Sequence, residues 1–253
     1  MKKTCTETGG PGEIHRAIGQ IASRPVRTRR SRFYVYASLL MIALVFAGFA
    51  RSYYLKTWSG APLLQGLLHG HGLVMSGWLL LFYAQAQLIA SHRSAVHRRV
   101  GQFGAVWALL VVLSCGAVAI HGARQGSSDG SHLSFLAIPT FDLLCFIGMT
   151  GLGLHLRKRP QFHRRLMLMG TLAMMAPPLV RLPFKLLREG GDVLVFGLVL
   201  AMAAGVVSYD SWRQRRLHPA FGWSLAALAL SVPLRLALGE TALWQSFAAW
   251  LIA

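Results

Sequence analysis

Apolar residues along this chain gather in long blocks, separated by short polar segments that carry most of the arginines. A half-buried strand would alternate every second residue, and a soluble amphipathic helix would keep one polar face. These blocks do neither. They are apolar all round, as helices facing lipid are. Seven are read from the pattern, at 33–50, 63–90, 100–120, 134–156, 165–184, 193–210 and 221–238. Each approaches or exceeds the length needed to cross a hydrocarbon core of about 30 Å, and the second is long enough to tilt. The last stretch, 241–253, is too short to cross. Its Trp244 and Trp250 suit a helix lying at the membrane surface.

The expected architecture is therefore all-α, a polytopic transmembrane bundle of about seven spans plus a short C-terminal interfacial helix. It has three parts: a basic, disordered tail at 1–32, a transmembrane domain at 33–240 and the terminal helix at 241–253. Composition agrees. Only 13% of the 253 residues are charged, about half the share in soluble domains.

A formal net charge of +18 would ordinarily suggest nucleic acid, but the positions of the charges exclude that partner. Nineteen of the 26 Lys and Arg lie in the tail or in the connections after the second, fourth and sixth spans. Such a bias places those segments in the cytoplasm, with the N-terminus inside and the C-terminus outside. Thr28-Arg29-Arg30-Ser31-Arg32-Phe33 hints at a twin-arginine signal, yet no strong small-residue cleavage site follows. An uncleaved first span is the expectation. Cys5, Cys115 and Cys145 are too few and too scattered for a disulfide framework or a zinc site.

Ionisable groups inside the blocks come next, because they are costly in lipid and tend to pair. In the second span His71, Trp78 and Gln85 recur every seven residues and share one helix face. Gly66, Gly70 and Gly77 form a small-residue stripe that would admit a neighbouring helix. Asp142 in the fourth span reaches a depth like that of His71, and Arg181 and Arg235 lie near the outer ends of the fifth and seventh. Pro177 and Pro178 are expected to kink the fifth span. These positions suggest a polar cluster of His71, Asp142, Arg181 and Arg235 in the outer half, with Asp142 paired to an arginine. The alternative is two arginines snorkelling to the headgroups.

On the inner side the chain repeats itself. Val96-His97-Arg98-Arg99-Val100 opens the third span and Phe162-His163-Arg164-Arg165-Leu166 opens the fifth, the mark of a parallel duplication of a helix hairpin. These residues either contact an anionic group or simply anchor the chain by the positive-inside rule. Asp210 is a plausible ion-pair partner for one of the arginines. No second deep histidine matches His71 for a haem held by two histidines, and no metal or cofactor is assigned.

The motifs HG(x5)W(x2)LF(x2)Q at His71–Gln85, HRRVG at His97–Gly101 and HRRLM at His163–Met167 resemble those of a family of bacterial multipass inner-membrane proteins of unknown function. The resemblance covers nearly the whole chain after the tail. It implies the architecture and location, but no catalytic residue. Three functions stay open: holding a lipid, quinone or partner subunit within the bundle, moving a small solute or proton, and haem- or quinone-dependent redox chemistry. No nucleophile triad, phosphate loop or paired-carboxylate site supports a hydrolase or ATPase.

Overall fold

The computed structural model describes residues 32–59, 65–126 and 131–253. The tail expected at 1–32 lies outside them apart from Arg32, as does Cys5. Among the described residues there is no strand. In chain order the helices are α1 (Phe33–Phe49, continued as a π-helical turn Ala50–Tyr54), α2 (Lys56–Ser59), α3 (Gly66–Ala90), α4 (Ser94–Arg124), α5 (Ser131–Phe135) and α6 (Ala137–His155). Then follow α7 (Pro160–Ala173), α8 (Ala176–Val180), α9 (Lys185–Glu189), α10 (Gly191–Gln214), α11 (Pro219–Gly239) and α12 (Ala242–Ile252).

Among the described residues six helices are long and apolar enough to cross a membrane: α1 with its continuation, α3, α4, the run Leu133–His155, α10 and α11. The chain is a multipass membrane protein built as an all-helical bundle, since a helix satisfies its own backbone groups in lipid.

The fifth expected span is the correction. Residues 165–184 do not form one helix. Pro177 and Pro178 have no N–H to offer the carbonyls of Ala173 and Met174, and their rings crowd the preceding turn. The helix therefore stops at Ala173. Met174 and Met175 close tighter bonds to Thr171 O (3.2 Å) and Leu172 O (3.0 Å), and α8 restarts with both prolines in its first turn, where a missing N–H costs little.

The broken segment still runs the height of the bundle. At one end Arg164 lies 5.5 Å from the ring centre of Tyr34, near the start of α1. At the other, Arg181 lies 4.8 Å from that of Phe49, where α1 ends. From Arg165 to Ala176 every residue except Met167 is buried. This segment is the axis around which the longer helices pack, so it meets protein where they meet lipid. Trp78 and Phe146 join edge to face against it, with centroids 5.2 Å apart, among Leu168, Met169, Leu172 and Phe221.

Close helix approach follows the expected stripe at one position. Beside Gly66 and Gly70 there is open space, but at Gly77 the indole of Trp107 from α4 sits where a Cβ would be. Gly48 is the position with no alternative: a Cβ there would strike the backbone carbonyl of Pro178. Gly48→Ala is expected to destabilise the detergent-solubilised protein by about 1–3 kcal/mol through overpacking. Gly70→Ala should be neutral or mildly stabilising. Paired thermal-unfolding curves check both.

Candidate functional site

Polar side chains inside the bundle collect at its two ends. At the end where α1 finishes, Asp142 of α6 meets Arg235 of α11. Arg235 Nη1 donates to Asp142 Oδ1 at 2.5 Å. Its Nε donates to Ser231 O (3.1 Å) and its Nη2 to Ser231 Oγ (2.8 Å). Phe196 covers the guanidinium with its ring centre 4.5 Å away. Arg235 is 3% and Asp142 5% exposed, so this is an enclosed pair. The arginine does not snorkel.

Of the four residues expected to cluster here, the structure brings these two together. His71 turns instead to Ser114, with Nδ1 3.3 Å from its Oγ. Arg181 is exposed and donates to Pro177 O at 2.9 Å. Among the described residues neither hydrogen-bonds to the pair. Trp78, one turn pair below His71, is buried and donates to Thr171 Oγ1 of the axial helix at 3.2 Å.

The other end, where α1 begins, holds more. Two antiparallel hairpins, α3–α4 and α6–α7, turn there and present their matching motifs. Gln85, fourteen residues beyond His71, is about 21 Å further along α3 and belongs to this end. In the amide orientation that satisfies its hydrogen bonds, Gln85 donates to His97 Nδ1 (2.7 Å) and His97 O (3.2 Å) and accepts from Gly101 N (2.8 Å). On the second hairpin His163 Nδ1 donates to Gly153 O at 2.8 Å. The two imidazoles stand edge to face with centroids 6.2 Å apart.

Arg165, with 0% exposure, anchors the group. Its Nε and Nη2 donate to Asp210 Oδ2 at 2.9 and 2.7 Å, and its Nη1 donates to Gln161 O and Oε1, both at 2.8 Å. Gln214 Nε2 adds a third donor to the same carboxylate oxygen at 2.5 Å, and Phe221 lies 5.4 Å from the guanidinium. Burial of a charge this complete is offset by the carboxylate and these four hydrogen bonds.

Arg164 is only half-buried and its Nη2 bonds Gln161 Oε1 at 2.6 Å. Its Nε, the hydroxyl of Tyr34, whose ring it faces, and the Ser211 hydroxyl, next in sequence to Asp210, are buried atoms without a hydrogen-bond partner among the described residues. Arg98 and Arg99, the equivalents on α4, are exposed. The two motifs thus meet in space but divide their tasks. One arginine holds the fold, one borders a set of unused donors, and two face outward.

His218, just ahead of α11, caps that helix. Its Nδ1 accepts from Ala220 N at 3.2 Å, and its ring packs on Phe162, centroids 4.7 Å apart. Burial, and then the Arg165 charge, push its pKa below the ordinary histidine value. Among the described residues no group of three or more His, Cys, Asp or Glu converges to hold a metal.

Sequence reasoning put Gln85 with His71 because both lie on one face, and overlooked Tyr34, Gly153 and Ser211. Hairpin arithmetic locates Gln85: a turn centred on residue 91 or 92 sets it opposite 97–99. Nothing in the sequence marks Gly153 or Tyr34. The chain matches no protein-family model, curated protein or solved structure in the comparisons made.

Asp142→Leu and Arg235→Met alone should each lower stability by about 3–5 kcal/mol, because each strands a buried charge. The double variant should recover most of that loss, as a double-mutant cycle of thermal unfolding will register. For His218, the unfolded chain takes up a proton at a higher pH than the folded one. Its contribution is therefore complete above about pH 6.5 and declines as pH falls through that value. His218→Asn, which keeps a capping acceptor, should flatten the pH dependence of melting between pH 8 and pH 5.

Proposed function

We propose that this is a bacterial inner-membrane binding protein whose Arg165 end faces the cytoplasm and holds the phosphate of an anionic lipid headgroup. The carrying observation is the group of buried atoms at that end, Arg164 Nε, Tyr34 Oη and Ser211 Oγ, for which there is no hydrogen-bond partner among the described residues. An unmet buried donor costs about 1–3 kcal/mol, and a phosphate oxygen is an acceptor suited to a guanidinium and a hydroxyl. Exposed Arg98 and Arg99 widen the positive field around the same end, worth about 1 kcal/mol for each basic residue at an anionic surface.

The bias of Lys and Arg toward the connections at this end supports the orientation. The motif resemblance supports the bacterial inner membrane. A headgroup is favoured over a quinone within the bundle because Trp78 and His71, the nitrogen-bearing groups at depth, already bond to Thr171 and Ser114.

The test is thermal unfolding of the full chain in neutral detergent, with added phosphatidylglycerol or phosphatidylcholine. Phosphatidylglycerol is expected to raise the melting temperature by a few degrees and phosphatidylcholine to leave it unchanged. Arg164→Gln or Tyr34→Phe should remove at least half of the gain. Equal stabilisation by both lipids, or a gain that survives both substitutions, rejects the assignment.

A further inference from the structure

Arg164 and Arg165 are neighbours on α7, and the same edge of each guanidinium is used differently. Nε–H and one Nη2–H lie parallel on that edge, spaced to grip an oxyanion. On Arg165 both donate to Asp210 Oδ2, at 2.9 and 2.7 Å. On Arg164 the edge is half used. Nη2 donates to Gln161 Oε1 at 2.6 Å, and Nε is buried with no hydrogen-bond partner among the described residues. The group lies over the Tyr34 ring, 5.5 Å from its centre, a contact that steadies its plane.

Gln161 holds the contested place. Its Oε1 accepts from two guanidiniums at once, Arg164 Nη2 at 2.6 Å and Arg165 Nη1 at 2.8 Å. A charged oxygen in that position would form stronger bonds than a neutral amide does. It would serve both arginines, and a second oxygen of the same anion would meet the parallel Nε–H of Arg164. Gln161 is exposed, so water can satisfy its amide once it swings away. Arg165 Nη1 then keeps its bond to Gln161 O at 2.8 Å. Charge agrees: with Asp210 paired to Arg165, the positive charge of Arg164 is left over, and the single negative charge of a phosphodiester balances it.

We infer that Gln161 is the resident acceptor of the phosphate site, displaced by an oxygen of a phosphodiester that then bridges Arg164 and Arg165. Gln161 thereby sets the affinity of the site and selects for oxyanions, since a neutral ligand gains little over the amide it replaces. The inference rests on the headgroup reading for its natural ligand, while the displacement holds for any phosphodiester that reaches the site.

The experiment follows thermal unfolding of the full chain in neutral detergent at fixed ionic strength. It is titrated with phosphatidylglycerol and, separately, with the deacylated headgroup glycerophosphoglycerol. Gln161→Ala removes the competitor and should lower the concentration giving half the melting shift by about tenfold, the worth of one hydrogen bond to a charged group. Gln161→Glu sets a carboxylate between the two arginines. It should raise the ligand-free melting temperature and abolish the response to both probes. Adding Arg164→Gln to Gln161→Ala should erase the tenfold gain. A Gln161 that merely holds the helix start would leave the half-shift concentration unmoved. That result, or a Gln161→Glu chain that responds as the wild type does, overturns the inference and leaves the lipid assignment standing. A headgroup response that follows residue 161, with no response to the lipid, upholds displacement and rejects the lipid instead. Silence toward both probes in every variant overturns both.

Discussion

A guanidinium with no exposure inside an apolar bundle is held by a carboxylate and by hydrogen bonds to most of its donors, and Arg165 sets the terms for everything around it. Asp210 on α10 and Gln161 one turn back on α7 take its four hydrogen bonds, while Phe221 of α11 closes the remaining face. Those contacts fix the register of the axial helix against two neighbours. His163 and Arg164, the two residues before it, are consequently aimed at α4 and α1. Chemistry at this end follows from the satisfaction of one buried charge.

The bundle separates its polar and apolar work along its length. The middle is filled by Trp78, Phe146, Leu168, Met169 and Leu172, whose packing leaves Trp78's indole nitrogen a single partner in Thr171. At one end the Asp142–Arg235 pair locks α6 to α11 and is self-contained. At the other, Arg164 Nε and the Tyr34 and Ser211 hydroxyls are left without a partner among the described residues. Self-contained polar groups stabilise a fold; surplus ones are available to a ligand.

Helix positions were legible because lipid demands unbroken apolar length, and α3, α6, α10 and α11 lie within a few residues of where that demand put them. The axial segment misled because its apolar content has a different origin: it is buried in protein, so it can be broken by Pro177 and Pro178. Residues 71, 78 and 85 do share a face, but depth divides them, and only the hairpin pairing restores Gln85 to His97. The pairing of Asp210 with an arginine followed from a shared depth. That Arg165 is buried while Arg99, its counterpart in the repeated motif, is exposed rests on which neighbours surround each hairpin, and no local pattern encodes that.

The interruption at Met174–Met175 bears on biogenesis. The segment from Pro160 to Val180 carries His163, Arg164 and Arg165 and two consecutive prolines, a composition that partitions poorly into lipid by itself. Asp210 and Phe221, which make its entry favourable, are synthesised later. Stable integration of this segment therefore waits for the following two helices to emerge from the ribosome, and the order of assembly is written into which residues neutralise which.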